Sequence, residues 1–274
     1  MASAQHSHYW QPPAMPGVSA LAATFTNQHF VPHAHDALVI AVTEAGGASY
    51  TSRGTTDDAS PAALLVFNPR EPHAGHMRRS RLWRYRALYL EEAAITRLLD
   101  ATGLQALPGA TRNALRAPAL IEAFRRAHAE LESGDPELGR ERLIDACGRL
   151  FAALPAPAPA VLRSPGDRRH VDTALRRIRE EYRSGLTVDG LAAAQGLSPF
   201  QLVRQFKRHT GMPPRAHLLR ARLHHAIGRL RAGWPIGEAA VDAGFYDQSA
   251  LTRHFRRAFG ITPGQYVRAR AGRP

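Results

Sequence analysis

Trp83, Tyr85, Ala87 and Tyr89 fall on one face of a two-residue period while Arg84 and Arg86 take the other, the mark of a half-buried strand. Shorter apolar runs precede it at Leu38 to Val42, Ala48 to Ser52 and Ala63 to Phe67, each bounded by turn-forming residues. Residues 25–90 are therefore expected to form a small β-barrel or sandwich. From Glu91 the period lengthens, and helices are expected near 91–102, 117–132 and 136–154. In the last of these, Leu143, Ile144, Cys147, Leu150, Phe151 and Leu154 make an apolar stripe. The stripe either packs on its own domain or, if exposed, serves as a dimer seam.

The run Pro155-Ala-Pro-Ala-Pro breaks this pattern, as Pro-rich spacers do, and residues 155–167 read as a linker. Every later segment reads as helix: 169–182, 188–195, 199–210, 214–231, 236–243, 247–259 and 263–268. The expected fold class is α+β with two domains. Residues 1–154 form a β-barrel with packed helices, and residues 168–274 form an all-α domain.

Charge sharpens the division. Residues 168–274 carry 20 Lys and Arg against 7 Asp and Glu, whereas residues 1–167 carry 16 of each. A neutral half joined to a strongly basic half implies that the second meets a polyanion. No apolar run is long enough for a membrane span and Met1 to Tyr9 lacks a signal-like pattern, so a cytoplasmic protein is expected. The single Cys147 excludes an intrachain disulfide and a multi-cysteine zinc site.

The basic half repeats itself at an offset of 48 or 49 residues. Gly196-Leu197-Ser198, Leu202, Arg204, Phe206, Gly211 and Pro214 return as Gly244-Phe245-Tyr246, Leu251, Arg253, Phe255, Gly260 and Pro263. Each copy reads as a short helix, a glycine turn and a second helix, the helix-turn-helix order. Ser198 is placed to cap its helix with Pro199 in the first turn, and Gly211 and Gly260 supply the stops.

In each second helix the inward pair, Leu202 with Phe206 or Leu251 with Phe255, defines the outward face. That face offers Ser198, Phe200, Gln201, Arg204, Lys207 and Arg208 in one copy, and Gln248, Ser249, Thr252, Arg253, Arg256 and Arg257 in the other. Arg and Gln near a helix start suit base edges in the major groove, and later cations suit phosphates. The segment 214–231 would span about 27 Å as one helix, comparable to one turn of duplex.

Leu191-Ala192, Gly196-Leu197-Ser198, Phe206-Lys207, Gly211, Pro213-Pro214, Gly244-Phe245, Asp247-Gln248-Ser249, Gly260, Thr262-Pro263 and Tyr266 together resemble the AraC/XylS double helix-turn-helix domain. The resemblance implies that Phe200, Gln201 and Arg204 read one groove segment and that Gln248, Ser249, Thr252 and Arg253 read the next. Ala239 and Val267 depart from that pattern. The stretches Pro32-His33-Ala34-His35-Asp36, Asn68-Pro69-Arg70-Glu71-Pro72-His73 and Trp83-Arg84-Tyr85 resemble the cupin-type effector domain that often precedes it. This implies a barrel that binds a small molecule.

His33, His35, Arg53, Glu71, His73, Trp83 and Tyr85 are the candidate effector contacts. A metal held by the three histidines is disfavoured, because metal-binding cupins place a Glu where this chain has Val39 or Ile40. No cofactor and no metal are expected. The function expected is a sequence-specific, effector-controlled transcriptional regulator and not an enzyme. Its partners are double-stranded DNA, a small-molecule effector, a second copy of the chain and, as a further candidate, RNA polymerase. The effector is expected to act by ordering the N-terminal arm, Met1 to Gly17, or the helical region 117–154. A cupin enzyme with a DNA-binding tail is the rival, resting on the three histidines alone, and a DNA binder without sequence preference is a third reading.

Overall fold

The computed structural model describes residues 6–13, 15–77, 80–133, 135–155 and 165–270. The first part of the chain forms β1 (His6–Trp10), β2 (Val18–Phe25), β3 (His29–His33), β4 (Ala37–Gly46), β5 (Ala48–Ser52), β6 (Thr55–Ala59), β7 (Leu64–Phe67), β8 (His73–His76) and β9 (Trp83–Glu91). Helix α1 (Glu92–Thr102), strand β10 (Ala114–Leu115) and helices α2 (Pro118–Ser133) and α3 (Pro136–Ala153) follow. The strands lie in two sheets, ordered β1-β2-β9-β4-β7-β10 and β3-β8-β5-β6.

The alternation in β9 decides what each face of the larger sheet meets. β9 pairs antiparallel with β2 and β4, in register at Leu21↔Ala87 and Ala41↔Ala87. On one face Leu38, Ile40, Val42, Leu64, Val66, Leu88 and Leu90 pack under α1, α2 and α3. On the other, Leu21, Phe25, Val39, Phe67, Trp83, Tyr85 and Ala87 are also buried. Tyr50 of β5 meets Phe67 of β7 across the two sheets, with ring centroids 5.6 Å apart. A register shift between Thr43 and Ala45 lets Glu44 leave the ladder, and its carboxylate accepts from Arg86 Nε at 2.7 Å.

Three sequence expectations change. The barrel begins earlier than residue 25: His6–Trp10 is already an edge strand on β2, so part of the supposed N-terminal arm belongs to the sheet. The α3 stripe is inside the domain, with Leu143, Cys147, Leu150 and Phe151 all under 3% exposed, and it cannot be a dimer seam. Helix α4 (Pro165–Glu181) starts within the expected linker, whose residues 156–164 lie outside the described residues, as do Met1 to Gln5 and Ala14 of the arm.

The second part of the chain is helical throughout: α4, α5 (Val188–Ala193), α6 (Pro199–Thr210), α7 (Pro214–Arg231), α8 (Ile236–Asp242), α9 (Gln248–Phe259) and α10 (Pro263–Arg270). Two small cores hold it. Val171, Ala174, Ile178, Leu191, Ala192, Leu202 and Phe206 close α4, α5 and α6 together. Ala239, Ala240, Leu251, Phe255, Ala258, Ile261 and Tyr266 are buried in the second repeat, and α7 packs against α4, α6, α8 and α9. The chain divides into two compact units, one formed mainly by residues 34–159 and the other mainly by residues 160–267.

Candidate nucleic-acid interface and effector site

The two repeat helices are built alike. The Ser198 hydroxyl accepts from Gln201 N–H at 3.2 Å and the Gln201 side-chain oxygen accepts from Ser198 N–H at 2.9 Å, a complete capping box ahead of α6. Asp247 caps α9 with a single bond, its carboxylate accepting from Ala250 N–H at 2.6 Å. Both helices end at a glycine in the left-handed region, Gly211 at φ 76° and Gly260 at φ 75°. Leu202, Phe206, Leu251 and Phe255 are at most 1% exposed, so the opposite faces are solvent-facing by construction.

Phe200, Gln201, Arg204, Lys207 and Arg208 of α6 are exposed, as are Gln248, Ser249, Arg253, Arg256 and Arg257 of α9, with Thr252 half-buried. Arg204 and Arg253 each occupy the sixth position of their helix. The Arg204 guanidinium lies 5.9 Å from the centroid of the Phe200 ring, which orients it along the outer face. The Ser198 hydroxyl, as the sequence expected, and the Gln201 side-chain oxygen are engaged in the cap and fix the helix start. Sequence reasoning missed Tyr246, which is 93% exposed in the turn before α9. Its isolation outside any helical period gave no signal.

Helix α7, of 18 residues, would be about 27 Å long. Arg222 on α7 donates from Nε to the Tyr182 carbonyl at 2.8 Å, and Tyr182 Oη lies 2.8 Å from His225 Nδ1. Asp242 of α8 meets His225 at 2.5 Å and Arg183 at 2.7 Å. The hydrogen bond from His225, with those from the arginines, holds the Asp242 carboxyl down at about 2. Gly244, at φ 82°, lies so close to the chain leaving α4 that an added Cβ would sit 3.1 Å from Arg183 Cα. These contacts join the two repeats through one carboxylate and one glycine.

In the N-terminal domain the candidates separate into two groups. His35 and His73 come together, with ring centroids 5.2 Å apart, and His33 at the end of β3 has its Nδ1 2.7 Å from the Val31 carbonyl oxygen. His73 stacks on Phe67 with centroids 4.2 Å apart, and His35 lies 5.1 Å from the Tyr89 ring. Burial lowers the His73 pKa from its ordinary value, which favours the neutral ring. Trp83 and Tyr85 stack at 4.6 Å, and Trp83 Nε1 donates to Thr43 Oγ1 at 3.1 Å. Burial raises the Tyr85 pKa well above its usual value, keeping the phenol neutral.

Arg53 and Glu71 face each other. The buried Glu71 carboxylate accepts from Ser52 at 2.8 Å, Arg53 at 2.6 and 2.8 Å, the Asn68 backbone and side chain at 3.0 and 2.8 Å, and Asn113 at 2.6 Å. With its lone pairs taken, Glu71 ties together the β5–β6 turn, the loop after β7 and the segment before β10. Arg53 and Glu71 are thus both engaged in this network. Tyr89 and Phe67, which line the histidine cluster, were missed as site residues. The β9 alternation already placed Tyr89 on the correct face.

Comparison with known proteins follows these two halves. Residues 15–146 match the family model of the AraC-like ligand binding domain, and residues 191–269 match a helix-turn-helix domain model. The uncharacterized HTH-type transcriptional regulator YbfI of Bacillus subtilis is 26% identical over 225 residues, 82% of this chain and 82% of that protein. The regulatory protein Ada of Salmonella typhimurium is 37% identical over 86 residues, 31% of this chain and 24% of Ada. Among solved structures, unsaturated fatty acid bound ToxT from Vibrio cholerae matches with a TM-score of 0.52 at 9% identity, covering 98% of this chain and 97% of ToxT. That likeness carries the fold alone. No helix among the described residues is long and apolar enough to cross a membrane. The chain belongs to the AraC family of DNA-binding transcriptional regulators, with an AraC-like ligand-binding domain ahead of a double helix-turn-helix domain.

Proposed function

We propose that α6 and α9 enter adjacent major-groove segments of one duplex, with Arg204 and Arg253 as the principal base readers. The observation that carries this is their equivalence: the same sixth position, on the face opposite a buried Leu–Phe pair, in two capped helices of equal length. An Arg so placed can bond guanine O6 and N7 in bidentate fashion. Phe200, Gln248, Ser249 and Thr252 add contacts beside them, and Lys207, Arg208, Arg256 and Arg257 meet phosphates. Residues 1–154 act as the sensor, residues 168–274 as the reader, and binding rather than catalysis is the sensor's task. A homodimer in the cytoplasm, acting with RNA polymerase, fits this division. The surface for pairing is not the α3 stripe.

Genome-wide mapping of bound sites supplies the operator. On that duplex Arg204→Ala and Arg253→Ala should each cost about 1–3 kcal/mol, with little change on a scrambled duplex. Equal losses on both duplexes would favour a binder without sequence preference and overturn the reading.

A further inference from the structure

We propose that a groove on the N-terminal domain binds a small phosphomonoester through Arg116 and Arg125. The inference rests on the reading of residues 1–154 as the sensor and names a ligand chemistry for that domain, at residues other than the histidine and aromatic candidates. The groove has a volume of about 530 Å³ and lies between the β6–β7 turn, the residue after β10 and the start of α2. Pockets that hold small molecules measure roughly 300–1,000 Å³.

The walls are set by the fold. Pro118, Ile121, Glu122 and Arg125 recur at spacings of three and four, so they share one stripe of α2. Pro61 and Ala62 contribute a second wall, in a turn closed by the Ala63 N–H, which donates to the Ser60 carbonyl at 3.1 Å. Arg116 follows β10, which pairs with β7 at Ala114↔Leu65 and Leu115↔Leu64. The turn and the Arg116 segment are thus both fastened to β7, and the two prolines restrict the backbone on either side.

The lining is positively charged. Arg116 is exposed and Arg125 half-buried. Arg125 directs Nη2 at the Thr43 carbonyl from 3.5 Å, the outer limit of a hydrogen bond, which leaves the rest of its forked donor set for a ligand. Glu122, the acidic member of the lining, accepts from Arg126 Nε at 2.8 Å, and that cation offsets its charge. On the adjoining β6, Asp58 accepts from Ser49 Oγ at 3.0 Å and Asp57 from the Tyr50 phenol. The first turn of the 16-residue α2 carries no acidic side chain, so its N–H groups add partial positive charge.

These features select the ligand. A carboxylate has two oxygens and a single charge, which one guanidinium fork satisfies. A phosphomonoester has three terminal oxygens and a charge of about −1.5 to −2 at pH 7, which matches two forks. Pro61, Ala62, Pro118 and Ile121 give the ester group an apolar bed that inorganic phosphate would leave wet.

The test uses the full chain with phenyl phosphate as the probe, titrated by ligand-observed saturation-transfer NMR. Saturable binding is expected, with inorganic phosphate and benzoate each competing more weakly. Arg116→Gln and Arg125→Gln should each weaken binding by about 10–100-fold, the loss expected for a charged hydrogen-bond donor. Arg140→Gln, which removes an exposed cation of α3, should leave it unchanged. Ala62→Trp fills the groove from the exposed turn with both cations in place and should abolish binding. Absence of saturable binding, benzoate equal to phenyl phosphate, or unchanged affinity in the Arg116, Arg125 or Ala62 variants overturns the proposal. Operator affinity is measured with and without the probe. If the probe binds as described and operator affinity does not move, the site stands and the sensor reading falls; if the probe does not bind, only this inference falls.

Discussion

Replacing Glu71 with Ala removes one carboxylate that six hydrogen bonds share. Ser52 and Asn113, at 2% and 7% exposed, then lose a buried acceptor, whereas the Arg53 side chain, 34% exposed, can turn partly to water. Breaking a buried ion pair costs about 3–5 kcal/mol, and the access of water to Arg53 places this case near 3 kcal/mol. For a domain of this size that is roughly 6–12 °C in melting temperature. Glu71→Gln retains one acceptor oxygen and should cost less. Differential scanning calorimetry on the full chain resolves the effect if the transition of the barrel domain moves while that of the helical domain stays. A loss below about 1 kcal/mol would show that the network is incidental. The same group has a pH signature. Burial pushes the Glu71 pKa up, but the bonds from Arg53, Asn113, Asn68 and Ser52 outweigh it and the net shift is downward from 4.5. Its stabilising contribution is thus complete above the unfolded value and disappears as pH falls through the lower folded value.

Other outcomes follow from the same geometry. His128, fully buried beside Arg86, has its pKa lowered to about 4, first by burial and then by the arginine charge. The unfolded chain therefore binds a proton that the folded domain refuses, and stability should fall by about 3 kcal/mol as pH drops from 6.5 to 4. His128→Gln should remove most of that slope in urea titrations at each pH. Leu143→Ala, which opens a cavity under the sheet, should cost about 2–5 kcal/mol and leave the oligomeric state by analytical ultracentrifugation unchanged. Lys207, Arg208, Arg256 and Arg257, if each meets a phosphate, together predict that log Kd against log salt has a slope of magnitude about 4, measured by fluorescence anisotropy. A flat response would remove the basic faces from the DNA footprint.

The helical half was legible because its punctuation is local. Ser198 with Pro199, Pro214, Gly211 and Gly260 mark starts and stops through caps and left-handed turns, and α6 and α7 coincide with their expected ranges. The barrel was less legible because several of its strands depend on their neighbours. β2 is rich in Ala and buried almost throughout, so it shows no alternation. β6, Thr-Thr-Asp-Asp-Ala, is a mostly exposed strand held by its register with β5. The two-residue turn between them uses Arg53 and Gly54, both at positive φ, where Asn-Gly is the usual signal. His35 and His73 lie about 40 positions apart in sequence, and only the folded sheets bring them together.

The charge argument from sequence needs the structure to apportion it. The 20 Lys and Arg of residues 168–274 are not one footprint. Arg177 pairs with Glu181, Arg183 and Arg229 converge on Asp242, Arg222 donates to two backbone carbonyls, and Arg231 donates to the Tyr266 hydroxyl. These cations fasten helices to one another, and neutralising them should disturb the spacing of the two readers more than the local charge at the duplex. The α6 and α9 cations stand on faces defined by buried Leu–Phe pairs. A charge removed from Arg257 and one removed from Arg183 are therefore equal in the net charge but different in effect. The first should reduce the salt slope by about one, while the second should leave the slope and weaken binding to the two-segment site.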